Sequence, residues 1–301
     1  MLAAGLAVCA ASLLAAQAPS GQSRPLRSSV ELTVVTATVR DAEGRLATGL
    51  PQEAFEIFED GAAVPVTQFT NERVPLGLGL LLDVSDSMFG RKIRDAQGAV
   101  ERFLLKLLAP TDAFFVMAFN HEPRLLFGWK DSPEGVHEAL DRLKPTGSTA
   151  IYDAVAASIP FIANRPRERA ALVLITDGED SASDVSLHDL RPELIRSDAF
   201  VYAIAIDSRE TQAIANKLNV GALNDITGQS GGRTEVIRST ADLDGATASI
   251  AEELNSQYVL GYSSPRPGDG KYHSIRVRVN RDGYRVRARN GYVSARRIPD
   301  R

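Results

Sequence analysis

The chain has 301 residues, 44% of them hydrophobic and 24% charged. This is enough apolar side chain for a sizeable core, over a length that suits about two domains, and it excludes a disordered polymer. A formal net charge of −4 offers no broadly basic surface, so nucleic acid is excluded as the expected partner.

Residues 1–18 are almost entirely Ala, Leu, Val and Gly and end in Ala16-Gln17-Ala18, the small-x-small pattern of a secretory signal that is cut away. The run is too short to remain as a membrane span. Cys9 is the one cysteine of the chain and would leave with the signal, so the mature protein carries no thiol into an oxidising compartment. Export to the periplasm, the cell surface or the medium is the resulting expectation. Residues 19–28 are polar and turn-rich and read as a tether.

Residues 29–74 read as a small β segment. Val, Thr and Leu dominate residues 30–39, Asp41-Ala42-Glu43-Gly44 makes a turn, and Asp60-Gly61 between residues 55–58 and 64–69 predicts a hairpin. From residue 75 to 256 apolar runs alternate with helical stripes, the pattern of parallel strands joined by helices. Residues 76–82 form a continuous apolar run, expected of a central strand covered on both faces. Ile93, Ala96, Val100, Phe103, Leu104 and Leu107 then recur at helical spacing. Further strands are expected at 114–119, 125–127 (an edge), 171–175, 200–206 and 234–237, with helices near 136–143, 151–162 and 243–254.

Residues 257–295 return to β texture, with strands at 258–262, 275–279 and 284–288 and a hairpin at Asp282-Gly283; residues 296–301 are a tail. Ile275, Val277 and Val279 alternate with Arg276 and Arg278, so the arginine rows read as the solvated side of a sheet. Residues 28–74 hold 3 Lys and Arg against 8 acids, and residues 258–301 hold 11 against 3. Neither flank has strands enough for a core of its own, so the two are expected to pack together with the α/β unit inserted between them.

Three segments carry chemistry: Asp83-Val84-Ser85-Asp86-Ser87, Gly147-Ser148-Thr149 and Thr176-Asp177-Gly178. Each lies in a loop expected at the carboxyl edge of the sheet, where open α/β sheets bind ligands, and the first and fourth strands are neighbours there in the common strand order. Asp83 and Asp177 are thus brought close, which is costly unless a cation sits between them. Ser85, Ser87 and Thr149 add neutral oxygens. A set of hard oxygens without His or Cys suits Mg²⁺ best, with Mn²⁺ or Ca²⁺ also accommodated. Ser and Asp also favour helix caps and turns, an explanation that suits any one segment better than three at matching strand ends.

This set of segments resembles the metal-ion-dependent adhesion site of von Willebrand factor A domains, over roughly residues 75 to 255. The resemblance implies a doubly wound, mostly parallel six-stranded sheet, and a divalent cation held by Asp83, Ser85, Ser87, Thr149 and Asp177. It also implies a partner protein whose Asp or Glu completes the metal shell. Arg40-Asp41, Glu59-Asp60-Gly61, the 257–262 stretch and Gly291-Tyr292 are similar to a bacterial, exported subgroup of that family.

The expectation is therefore a non-catalytic, cation-dependent adhesion or assembly module of the bacterial envelope or exterior. A structural envelope protein with a purely stabilising metal is the alternative. A phosphotransferase of the haloacid dehalogenase type needs a second Asp where Ser85 stands, and no Gly-x-Ser-x-Gly elbow supports a serine hydrolase. Gly77-Leu78-Gly79 begins a strand instead of following one, so it is no dinucleotide loop; its glycines are expected to relieve crowding. His121, His137, His188 and His273 read as solvated residues.

Overall fold

A computed structural model describes residues 32–207 and 219–295. The expected signal, tether and tail lie outside the described residues. The chain begins with β1 (Leu32–Arg40), followed by β2 (Phe55–Glu59), β3 (Ala62–Val64) and β4 (Gln68–Thr70). Asp60 and Gly61 both have positive φ, at 48° and 83°, as a two-residue hairpin of type I′ demands, and they join β2 to β3 with Glu59 opposite Ala62. The stretch 64–69 is not one strand as expected. Pro65 has no N–H for the ladder, and the chain leaves β3 there to start β4 in a different sheet.

The α/β unit follows: β5 (Leu76–Asp83), α1 (Arg91–Arg102), β6 (Ala113–Phe119), β7 (Pro123–Lys130), α2 (Val136–Asp141), α3 (Ile151–Ala163), β8 (Arg169–Thr176), α4 (Leu187–Ser197), β9 (Phe200–Ile206), α5 (Val220–Ser230), β10 (Thr234–Ile237) and α6 (Leu243–Asn255). Six strands lie in the order β10-β9-β8-β5-β6-β7. All pairings are parallel except β6 with the edge strand β7. Every residue of β5, β6, β8 and β9 is buried, because helices cover both faces. Leu78, Leu80 and Leu82 pack with Ile93 and Val100 of α1 and Ile250 and Leu254 of α6. Leu81 faces the other way, into a cluster with Ile151 and Val155 of α3 and Leu190 and Leu194 of α4. Each such fully buried leucine contributes roughly 1.5–3 kcal/mol of transfer free energy. A Cβ on Gly79 would overlap the ring of Phe115 and the end of Leu172, so that glycine does relieve crowding in the strand.

Helices α4 and α5 were not expected from the apolar pattern. Pro192 lies inside α4 and Gly221 and Gly228 inside α5, and both residue types weaken a helical signature. Capping compensates: Ser186 and Asn219 accept from the backbone N–H groups of Asp189 (3.2 Å) and Ala222 (3.0 Å).

The chain ends in β11 (Tyr258–Ser263), β12 (Tyr272–Val279), β13 (Arg285–Ala288) and β14 (Gly291–Val293). Two four-stranded sheets result, β13-β1-β11-β4 and β14-β12-β2-β3. Both sheets combine strands of the two flanks, alternating in the first and meeting at the β12–β2 pair in the second, and Val35, Ala37, Ile57, Tyr258, Leu260, Tyr262 and Ile275 share one core. Asp282-Gly283 does not close a hairpin: β12 pairs with β2 and β14, whereas β13 pairs with β1, so the turn carries the chain from one sheet to the other.

The sandwich is bolted to the α/β unit at Glu253 of α6, which is fully buried. Its carboxylate accepts from Arg40 of β1 (3.0 Å), Arg233 (3.1 Å), Arg287 of β13 and the hydroxyl of Tyr202 of β9 (2.8 Å). Burial alone would raise the pKa of Glu253, but Arg287, Tyr202, Arg233 and Arg40 hold it below the usual value. Arg287 is thus no member of a free solvated row, although Arg276 and Arg278 are exposed as expected. Nor is His273 solvated. It is 2% exposed, with Nδ1 2.8 Å from Asp60 and Nε2 3.0 Å from Asp269.

Candidate metal centre

Asp83 is the last residue of β5, and β8 runs beside it in parallel with Leu82 opposite Ile175. The two strands therefore deliver Asp83 and the Thr176-Asp177 pair to one point of the carboxyl edge. The Thr176 hydroxyl donates to Asp83 Oδ2 at 2.6 Å, and the backbone N–H of Ser85 donates to Oδ1 at 2.8 Å. Asp83 is fully buried, and burial pushes its carboxyl up to about 6 against those hydrogen bonds, with Asp177 adding repulsion.

The loop after β5 is pinned by backbone hydrogen bonds, from Val84 N–H to Phe119 (2.7 Å), Asp86 N–H to Gly147 (2.9 Å) and Thr146 N–H to Val84 (2.9 Å). Ser85 and Ser87 are consequently aligned, with their hydroxyls 3.1 Å apart, and Ser87 Oγ donates to Asp177 Oδ1 at 2.6 Å. Thr149 is 1% exposed, and its carbonyl accepts from the N–H groups of Ser181 (2.8 Å) and Ala182 (3.1 Å). A Cβ on Gly178 would lie 3.5 Å from Thr149 Oγ1 and 3.9 Å from Ser87 Oγ, so the three loops converge around that glycine. All five candidate residues are brought together.

One residue of this cluster was missed from the sequence. Lys92, in the first turn of α1, is 7% exposed. Its ammonium bonds Asp177 Oδ2 and lies 3.3 Å from the carbonyl of Ser87. A lysine at a helix start ordinarily reads as solvated; the available signal was its place five residues after Ser87.

The donor set fits a hard divalent cation. Two carboxylates and three hydroxyls supply oxygen alone, and the carboxyl of Asp83, which burial disfavours as an anion, is the kind of group a cation restores to its charged form. Glu59, Asp60 and His273 also lie within ligand distance of one another, but both nitrogens of His273 face carboxylates. Burial works to lower the pKa of that imidazole, yet Asp60 and Asp269 raise it. An imidazolium is no ligand, so this second cluster is an ion-pair network of the sandwich.

Residues 78–179 match the family model described as von Willebrand factor type A domain. This part of the chain is thus similar to von Willebrand factor A domains. The fold of a von Willebrand factor type A protein from Catenulispora acidiphila aligns at a TM-score of 0.52 and 14% identity, over 89% of this chain and 75% of that one. Proximal thread matrix protein 1 from the mussel byssus aligns at 0.52 and 16%, over 65% of this chain and 51% of that one. These likenesses concern the fold. An uncharacterized protein of Synechocystis, sll0103, is 32% identical over 117 residues, 38% of this chain. The chain spans 28% of the length of that relative.

Around the candidate centre the rim is open. Phe89 is 78% exposed beside the buried Met88, and His121 and Glu179 are exposed. Among the described residues no helix is long and apolar enough to cross a membrane.

Proposed function

We propose that the protein is a non-catalytic binding module of the bacterial envelope or exterior. In this reading Asp83, Ser85, Ser87, Thr149 and Asp177 hold Mg²⁺ or a similar ion, and an Asp or Glu of a protein partner completes its shell. The observation that carries the reading is the behaviour of the nearby acids. Asp180, a candidate for closing the shell from within, spends one oxygen on Tyr152 N–H (3.2 Å) and Ser183 Oγ (2.5 Å), and Asp86 is exposed. Among the described residues neither acid closes the site, which favours an incoming ligand over a metal that merely stiffens loops.

The bound ion would supply a Lewis-acidic position for an oxygen ligand. The chain's own residues orient it: Thr176 and the backbone of Ser85 fix Asp83, while Ser87 fixes Asp177. Exposed Phe89 offers the partner an apolar contact. The cluster holds no imidazole or thiol to act as base or nucleophile, which supports binding over turnover. Export rests on the apolar run of residues 1–18.

Calorimetry with Mg²⁺ and Mn²⁺ tests the site, with binding expected in the wild type and lost in Asp83→Ala. Equal binding by both overturns the assignment. Capture of an envelope protein by the immobilised chain is expected to need the ion, and capture undiminished in chelator would refute the mode of recognition.

A further inference from the structure

The candidate metal site holds a lysine among its acids. Lys92 and Asp177 are an ion pair whose side chains are 9% and 1% exposed, at the one place in the fold where a divalent ion would also need that carboxylate. Each oxygen of Asp177 has a separate partner, Oδ1 the Ser87 hydroxyl and Oδ2 the Lys92 ammonium. The ammonium also reaches the Ser87 carbonyl, so one side chain grips both the acid and the backbone of a candidate ligand.

We propose that Lys92 is the internal counter-cation of this site and determines which ligand the site selects. Resting on the metal-binding reading above, the inference deepens it in three respects. First, a buried carboxylate left without a cation is strongly disfavoured, and Lys92 supplies one when the divalent ion is away. Second, two like charges drawn to one carboxylate repel each other in a weakly screened interior, so Lys92 competes with the ion and weakens its binding. Third, two carboxylates against a divalent ion alone would leave a neutral centre; with the ammonium added, the loaded centre keeps one net positive charge. A neutral carbonyl ligand gains little from that excess. An anionic ligand is drawn by both cations, so Lys92 selects a carboxylate.

The test uses the full chain with Mn²⁺ as probe and two variants, Lys92→Met, which keeps the length and removes the charge, and Lys92→Arg, which keeps the charge. In chelator, Lys92→Met is expected to melt below the wild type, with excess Mn²⁺ closing the gap. Its Mn²⁺ affinity should rise by about tenfold or more, while Lys92→Arg stays near the wild type. Acetate should displace water from the bound Mn²⁺, read by water-proton relaxation, at lower concentration in the wild type than in Lys92→Met. If the wild type binds Mn²⁺ but Lys92→Met binds it no tighter and melts no lower in chelator, the role of Lys92 is overturned and the metal site stands. If neither binds Mn²⁺, the metal reading itself falls. Binding by Lys92→Met alone would uphold the competition and overturn metal-dependent function in the native chain.

Discussion

Replacing Glu253 by Gln keeps the shape of the side chain and removes the carboxylate on which Arg40, Arg233 and Arg287 converge. Breaking a buried ion pair by removing one partner costs about 3–5 kcal/mol, because the remaining charge is left buried and unpaired. The three arginine side chains are 28%, 22% and 29% exposed, so each can reach some water, and the lower end, about 3 kcal/mol, is expected. For a unit of this size that lowers Tm by roughly 6–12 °C. Urea and thermal unfolding of wild type and Glu253→Gln measure it. Because the arginines reach Glu253 from both the sandwich and the α/β unit, Arg40→Gln made in the Glu253→Gln background should cost less than in the wild type. A loss below about 1 kcal/mol, or strict additivity of the two substitutions, would show that solvent already screens these charges and that Glu253 bolts nothing.

Gly79→Ala should cost about 1–3 kcal/mol, since its methyl group enters the space of the Phe115 ring, which stacks on Phe161 at 5.2 Å; an unchanged urea midpoint would mean the strand yields freely. The Asp60–His273–Asp269 network gives a pH signature with a definite sign. His273 is raised above its unfolded value, so its contribution is fully present below about pH 6.5 and is lost as pH rises through the folded value. His273, by hydrogen bonding, lowers Asp60 and Asp269, and their contribution is present above about pH 4 and lost as pH falls through the folded values. The network is therefore expected to stabilise most between about pH 4 and 6.5, and His273→Gln should flatten the decline above that window in thermal unfolding. A wild-type stability that rises from pH 6 to 8 by an amount His273→Gln abolishes would reverse the assignment.

The central sheet was legible because its strands are buried on both faces and their sequences are near-continuous apolar runs, as in β5 and β8. The five candidate ligands were legible for a related reason: parallel strands end at one edge, so a residue's place at a strand terminus already says where it lies in space. What escaped the sequence depended on distant partners. Asp282-Gly283 has the local chemistry of a hairpin, but β13 is captured by β1, more than 200 residues earlier. Lys92 and Arg287 have the composition of surface residues and are drawn inward by Asp177 and Glu253. His273 is likewise held by an acid from the other end of the chain. Pro192 and the α5 glycines hid two helices that tertiary packing supports against weak propensity.

The alternation of flanking strands has a consequence for the order in which the molecule can assemble. β1 has no sheet neighbour made before β11 and β13, so Leu32 waits for Ser263 and Thr38 for Arg287. During synthesis the α/β unit can close while β1 still presents unpaired N–H and C=O groups along both sides, the condition in which a strand invites foreign pairing. A chain interrupted between α6 and residue 258 would keep the loops of the candidate site and lose every sheet partner of β1. Completion of the last strands is thus what converts the first one from a liability into part of a core.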